Sequence, residues 1–384
     1  MFFEPSAELK QFLETVRKFV EKECYPVEME IEEKGEIPEN IYKGLCQLGL
    51  FGVTTPTEYG GLGLSILDYC LILMELSKTN AAVRAQITTN NGIGSKGIIF
   101  DGTEEQKKKY LPSLASGEKM ASFALTEPGA GSDAAAISTT AVKNGSDWVI
   151  NGTKYFITNA PRASIFTVLA LTDKEKRARG GITAFIVEKG TPGLTIGKIF
   201  KAMGNVGSKP AEVIFENCRV PEGNIIGGPK MVGQGFRTAM KCLNEGRLTL
   251  SASMIGFAER ALKLGRDYAK IRVQFGKPIA ENQAIQWMLA DSATEIYASK
   301  CMLIDAAARF DAGQKVDALC SMTKLFASEM LCKVTDRSLQ IHGGTGYIKE
   351  APIEHLYRDA RMFRIVEGTS EIQRMIIARD VLKD

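Results

Sequence analysis

Residues 137–159 read ISTTAVKNGSDWVINGTKYFITN. Val142, Trp148, Val149, Ile150, Tyr155, Phe156 and Ile157 are β-branched or aromatic, and two pairs, Asn144-Gly145 and Asn151-Gly152, punctuate the run. Asn-Gly supplies the positive φ angles of tight hairpin turns, so the stretch predicts antiparallel strands joined at both pairs. Three more short apolar runs, SIFTVLALT (164–172), GITAFIVEK (181–189) and AEVIFENCRV (211–220), continue the β texture.

On both sides the period changes. Leu9, Phe12, Leu13, Val16, Phe19 and Val20 recur at helical spacing behind Ser6, a natural N-cap. Asp68 to Leu76 is almost wholly apolar and belongs inside a bundle, and GTEEQKKKYLPSL (102–114) predicts a capped, charged helix that Pro112 ends. Helical patterning returns after Gly235 and runs through Gly256 to Val273 and Ala318 to Ile341. The expected fold is an α+β multidomain chain, with a helical domain at 1–118, a β domain at 119–228 and a second helical domain at 229–384. Strands do not alternate with helices, which argues against a doubly wound sheet.

The chain has 384 residues, 45% of them hydrophobic and 24% charged, as expected of a globular protein with a substantial core. Its net charge of +3 is spread among acids, so no nucleic-acid surface is expected. After Met1, charges interrupt the apolar positions of FFEPSAELKQFLETVRKFV, which reads as neither signal peptide nor membrane span and makes a cytoplasmic location the expectation. Cys24, Cys46, Cys70, Cys218, Cys242, Cys301, Cys320 and Cys332 form no CxxC and read as reduced, buried thiols. His342 and His355 are too few for an ordinary zinc site, so acid or base chemistry falls to a carboxylate.

Three local features bear on function. TEPGAGSDA (126–134) formally matches a relaxed dinucleotide fingerprint, but Pro128 and the antiparallel β surroundings do not make a βαβ unit. The loop is either a plain turn or a tight bend whose N–H groups meet a polar cofactor edge. In RIVEGTSEIQR (364–374), Ser370 and Gln373 have capping-box spacing, which places Glu367 in a loop ahead of a helix. Such a glutamate is either a solvated side chain or a positioned general base. Arg84 is the only charged side chain between Lys78 and Lys96, a costly place for a guanidinium without a partner.

Five motifs, in order, resemble the acyl-CoA dehydrogenase flavoprotein family: Phe123 to Asp133, Phe156-Ile157-Thr158-Asn159, Arg272-Val273-Gln274-Phe275-Gly276, Gln340-Ile341-His342-Gly343-Gly344 and Val366-Glu367-Gly368-Thr369. The resemblance covers essentially the whole chain. It implies an N-terminal helical domain, a central β-barrel-like domain and a C-terminal four-helix domain, assembled as a homotetramer around FAD. Phe123, Leu125, Thr126, Gly131, Ser132, Phe156, Ile157, Thr158, Thr369 and Glu371 would then hold the cofactor, with Phe156 where relatives more often have Trp. Arg272, Gln274, Phe275, Gln283, Gln340, Gly343 and Gly344 would reach the FAD of a neighbouring subunit. Glu367 would be the base that removes the α-proton of a thioester, with its own N–H among the donors to the thioester oxygen, and a β-hydride would pass to the flavin. Ser132, Arg247, Val366 and Gly368 would border the acyl-CoA, and electron-transferring flavoprotein would be the acceptor. Some family members carry the base on the first long C-terminal helix immediately before an arginine. Here Glu245 precedes Arg247 by two positions, about 100° of helix rotation from that place, and a surface or CoA-proximal role is its alternative.

In this family the segment around Arg84 lines the far end of the acyl pocket, and glutaryl-CoA dehydrogenases resemble the chain most closely there. Arg84 and Thr88 share one helical face and would grip the distal carboxylate of a diacid; the alternative is an arginine reaching solvent or a subunit contact. Decarboxylating members have an acid at the position of Ser77 and a tyrosine at that of Val366. The expected activity is oxidation of glutaryl-CoA to glutaconyl-CoA without loss of CO2. The alternatives are decarboxylation to crotonyl-CoA, a short-chain acyl-CoA dehydrogenase, or a non-catalytic scaffold.

Overall fold

The computed structural model describes residues 4–383; the expected outer limits of the first and third domains, residues 1 and 384, lie outside them. The chain opens with helices α1 (Ala7–Phe19), α2 (Glu28–Lys34), α3 (Glu39–Gln47), α4 (Ile66–Leu76), α5 (Ala81–Asn91), α6 (Lys96–Asp101) and α7 (Glu104–Ala115). Ser6 caps α1 as expected, its Oγ accepting from Leu9 N at 3.1 Å. A reciprocal Thr103–Gln106 capping box starts α7. Pro112 does not end that helix, which runs on to Ala115. The bond that proline forgoes is to the carbonyl of Lys108, on the exposed face of the helix, where the loss is cheap.

Seven strands follow: β1 (Ala121–Ala124), β2 (Thr140–Asn144), β3 (Asp147–Ile157), β4 (Ile165–Leu171), β5 (Ile182–Glu188), β6 (Leu194–Ile199) and β7 (Ala211–Pro221). They form one sheet in the order β1-β4-β2-β3-β7-β6, with β5 also paired to β4. Most pairings are antiparallel, but β1 runs parallel to β4, a long-range pairing that no local pattern announces. Asn144-Gly145 makes the expected turn between β2 and β3, with Gly145 at φ +64°.

Asn151-Gly152 does not turn the chain. It sits inside β3 as a bulge against β7, where the register shifts between Ile150 and Gly152. Asn151 Oδ1 accepts the stray Asn217 N–H at 2.7 Å, and a Cβ on Gly152 would lie 2.4 Å from Thr139 Oγ1. The pair therefore serves a close approach between strands, which has the same composition as a hairpin.

The last third holds α8 (Gly235–Ile271), a small hairpin of β8 (Val273–Gln274) and β9 (Lys277–Pro278), α9 (Gln283–Asp311), α10 (Asp317–His342), α11 (Pro352–Met362) and α12 (Ser370–Val381). Helix α10 packs against α8, α9, α11 and α12. The helices on either side of the sheet share one apolar core: Leu71, Ile72 and Leu73 of α4 lie in the same cluster as Leu248, Ile255 and Phe257 of α8 and Leu331 of α10. Asp311 at the end of α9 caps α4, accepting from Ile66 N and Leu67 N at 2.9 Å each. The sheet keeps its own core around Trp148, Ile150, Phe166, Phe185 and Phe215. All eight cysteines are free; Cys301 is exposed, and Cys46 and Cys332 are half-buried rather than fully enclosed. No helix of the described residues is long and apolar enough to cross a membrane.

Replacing Gly152 with valine should drive a branched side chain into Thr139 and destabilise the protein by about 2–4 kcal/mol, read as a lower denaturation midpoint.

Candidate active site

The chain from Arg364 to Thr369 links α11 to α12, and the structure folds it against α10. The residue that caps α12 is Thr369, whose Oγ1 accepts from Ile372 N at 3.3 Å, rather than Ser370 as the spacing suggested. Ser370 instead donates to Glu329 Oε1 of α10 at 2.7 Å, and Arg364 Nε reaches the same oxygen at 3.0 Å. Gln373 turns back on the loop, donating to the carbonyls of Glu367 and Gly368 at 3.1 and 3.0 Å. Lys324 of α10 donates to the Gly368 carbonyl at 2.8 Å.

This frame holds Glu367 at φ +53°, a left-handed conformation that costs a bulky residue on the order of 1 kcal/mol or more. Its carboxyl points inward, where Oε2 is buried without a hydrogen-bond partner. Burial pushes the carboxyl above the usual glutamate range, against the pull of Arg84, Lys324 and Arg247. The Glu367 N–H makes no hydrogen bond among the described residues and is free to donate to a ligand.

Helix α8 passes close by. A Cβ on Gly246 would sit 2.4 Å from Glu367 Oε2, so α8 must lack a side chain there. The neighbouring Glu245 is buried in an ion pair with Lys96 Nζ at 2.8 Å. It is not a surface residue: its carboxylate is committed to Lys96 of α6. Arg247 is buried and bonds Asn244 Oδ1 at 2.6 Å, leaving Nε without a partner.

Arg84 lies on α5, 5% exposed, with its guanidinium 5.0 Å over the ring of Phe363. It does not reach solvent. Its nearest polar contact is Thr88 Oγ1 at 3.5 Å, the shared helical face that the spacing implied, and its Nε has no partner. Among the described residues no carboxylate is within ion-pair distance of it. Burial lowers its pKa to about 10, partly opposed by the fields of Glu367, Tyr69 and Asp359, so it stays a cation at neutral pH.

The sheet meets this helix at the end of β3. Asn159 Nδ2 donates to the Ala85 carbonyl at 2.9 Å, next to Arg84. Three residues before Asn159, Phe156 stands at φ +56° and 59% exposed, with Phe200 4.8 Å away, and Thr158 between them is half-buried. An exposed aromatic platform of this kind fits the flat ring system of a flavin. Ile157 faces the sheet core instead, so only its backbone is available to a cofactor. Leu125 and Thr126 are tied to β3 by Lys154, which bonds the Leu125 carbonyl at 3.1 Å and Glu127 Oε1 at 2.7 Å, and by Tyr155 N, which donates to the Thr126 carbonyl at 2.8 Å. Phe123 is half-buried on β1. The glycine loop closes as a turn between Glu127 and Ala130, with Gly131 and Ser132 exposed and no long helix after them, which rules out a dinucleotide βαβ motif.

Arg272, Gln274, Phe275, Gln283, Gln340, Gly343 and Gly344 are all exposed at another place. Arg272 is 26 residues beyond Gly246 along α8, about 39 Å at 1.5 Å per residue. One chain therefore does not bring this set to Glu367. Phe275 there is 99% exposed, and Ile271, Trp287 and Tyr347 are exposed as well.

Three family models match in sequence: the acyl-CoA dehydrogenase N-terminal domain over residues 6–118, the middle domain over 122–218 and the C-terminal domain over 233–382. The chain belongs to the acyl-CoA dehydrogenase family. It is an enzyme of acyl-CoA dehydrogenation that uses FAD. Butyryl-CoA dehydrogenase from Megasphaera elsdenii is 38% identical with a TM-score of 0.96 over 100% of both chains. A glutaryl-coenzyme A dehydrogenase solved with glutaryl-CoA is 34% identical with a TM-score of 0.93, over 100% of this chain and 97% of that one. An acyl-CoA dehydrogenase complexed with FAD, from Bacillus anthracis, is 37% identical with a TM-score of 0.91, over 99% of this chain and 67% of that one.

Lys324, which grips the Glu367 loop, did not stand out in sequence, and Gln373 stood out only as a capping-box partner rather than as a donor to that loop. A signal was present: Lys324 shares the inward stripe of α10 with Cys320, Ala327 and Leu331, so it is buried by its spacing, as Arg84 is by its neighbours.

Gly246→Ala should leave the fold intact, because α8 favours alanine, yet cut kcat at least tenfold by displacing the Glu367 carboxyl. The pH profile of kcat/KM should show an acid limb above the ordinary glutamate range, as burial of Glu367 requires.

Proposed function

We propose that the chain oxidises glutaryl-CoA to glutaconyl-CoA and stops before decarboxylation, with Glu367 as the base and Arg84 as the anchor for the distal carboxylate. The observation that carries this reading is the buried, cationic Arg84, with a free Nε and no acid to pair with among the described residues. A cation in that position is stabilised if the substrate brings the opposite charge, and a purely aliphatic chain would gain nothing from it.

Arg84 and Thr88 hold the carboxylate tail, which places the α-carbon near Glu367. The base is unpaired, and burial raises its pKa, which brings its basicity toward that of an activated α-carbon acid. As the proton leaves, charge grows on the thioester oxygen, and the unbonded Glu367 N–H is the donor this chain offers to it. FAD, when bound, supplies the two-electron acceptor for the β-hydride. Phe123, Leu125, Thr126, Gly131, Ser132, Phe156, Ile157, Thr158, Thr369 and Glu371 would hold FAD from this chain. The distant group from Arg272 to Gly344 would hold it from a second subunit, in keeping with a homotetramer. Electron-transferring flavoprotein is the acceptor that the family resemblance implies.

Retention of CO2 follows from two side chains. Ser77 is fully buried at the end of α4, so no acid there competes for Arg84. Val366, packed against the helical core, offers no phenol beside the base. The tail carboxylate thus keeps its partner through the reaction. A monocarboxylic short-chain substrate is the second reading, favoured by the higher TM-score to the butyryl-CoA dehydrogenase.

With Arg84→Ala, kcat/KM for glutaryl-CoA should fall about 10²- to 10³-fold, the loss of roughly 3–4 kcal/mol of ion pairing, while butyryl-CoA turnover changes less than about tenfold. Equal effects on both substrates would favour the second reading. Mass analysis of the wild-type product should show glutaconyl-CoA; crotonyl-CoA with CO2 would remove the non-decarboxylating assignment.

A further inference from the structure

We infer that Lys324 is a positioning residue for the base: from inside α10 it pins the Glu367–Gly368 hinge and supplies the positive charge that keeps the carboxyl ionised. The inference rests on Glu367 being the base, and it holds whichever acyl chain is used.

The Lys324 side chain is wholly enclosed, 0% exposed, yet it sits on no ion pair within salt-bridge distance among the described residues. Its one hydrogen bond goes to a backbone carbonyl, that of Gly368, at 2.8 Å. A lysine is an expensive way to satisfy a carbonyl: burial lowers its pKa to about 8, and a neutral glutamine already reaches the same oxygen from Gln373 at 3.0 Å. What the amine adds over the amide is charge. The charged groups facing Glu367 are Arg84 from α5, Arg247 from α8 and Lys324 from α10. Those facing Lys324 are Glu367, Arg247, Glu329 and Glu371. Arg84 is the group assigned to a substrate carboxylate, and once engaged its field is shared. Lys324 is bonded to the loop at the Gly368 carbonyl, so below its own pKa its charge is not shared with a substrate carboxylate.

The hinge itself needs an anchor. Glu367 at φ +53° and Gly368 at φ +93° are conformations that the loop would relax from if its carbonyls were released. Gln373 and Lys324 hold these carbonyls from two different helices, so position and charge can be separated by substitution.

The test measures kcat/KM against pH for the FAD-loaded wild type, Lys324→Met and Gln373→Met with one acyl-CoA substrate. Lys324→Met should move the acid limb to higher pH, with a loss of roughly tenfold near pH 6 that narrows to within about threefold near pH 8.5. Gln373→Met should lower kcat without moving the limb, because it removes a donor and no charge. If Lys324→Met does not accumulate as yellow holoenzyme, Lys324→Gln carries the same test, since it keeps a donor for the Gly368 carbonyl and deletes only the charge. An unmoved limb in the lysine variant overturns the inference. Glu367→Gln separates this from the premise: an active Glu367→Gln enzyme refutes the base assignment itself, whereas an inactive one with an unmoved Lys324 limb refutes only the role of Lys324.

Discussion

One carboxylate facing three buried cations is the interaction around which the site is arranged. Glu367 on its left-handed hinge, Arg84 on α5, Arg247 on α8 and Lys324 on α10 come from four separate elements, and none of them forms a close salt bridge with another. An interior of low polarity tolerates such a group because the fields partly compensate at a distance. Close pairing would quench both the proposed base and the proposed anchor. The surrounding framework serves to prevent it: Glu245 is tied to Lys96, Glu329 to Arg364 and Ser370, and Asp359 is occupied by the N–H groups of Asn205 and Ala81. The acids that could have neutralised Arg84 or Lys324 are bonded elsewhere.

The continuity of the helical core supports this geometry. Helices from before and after the sheet pack into one cluster, so α5, α8 and α10 are rigidly related despite being far apart in sequence. A second buried pair, Lys154 with Glu127, does for the sheet what Lys324 does for the base loop. The Glu127 carboxyl, though burial works against it, is held well below the usual range by Lys154 and by hydrogen bonds from Thr139 and Ser138, so the segment after β1 is fixed to β3 by a permanent charge.

Much of this was readable from the chain alone, for identifiable reasons. The change of period from 3.6 to 2 and back located the helices and the sheet, and Asn144-Gly145 gave its turn correctly because nothing else competes for that φ. Asn151-Gly152 misled, since a bulge and a hairpin favour the same residue types, and here Gly152 stands at φ +148°, rather than the +64° of Gly145, with Thr139 in close approach. Pro112 misled because a proline near the last turn, on an exposed face, costs only a single bond. The cap of α12 was displaced by one residue because Thr369 and Ser370 are chemically alike and the choice depends on where Glu329 lies. Arg84 was legible because its isolation is a property of the sequence. The parallel pairing of β1 with β4 and the grip of Lys324 on Gly368 were not, since each joins residues more than forty positions apart.

The Asn159 side chain, bonded to the Ala85 carbonyl, joins the strand that carries Phe156 to the helix that carries Arg84. The turn just after β3 is thereby fixed against α5 by one buried hydrogen bond. A change in the spacing between Phe156 and Arg84 would therefore have to come from exchanging side chains on these packed elements rather than from lengthening a connection.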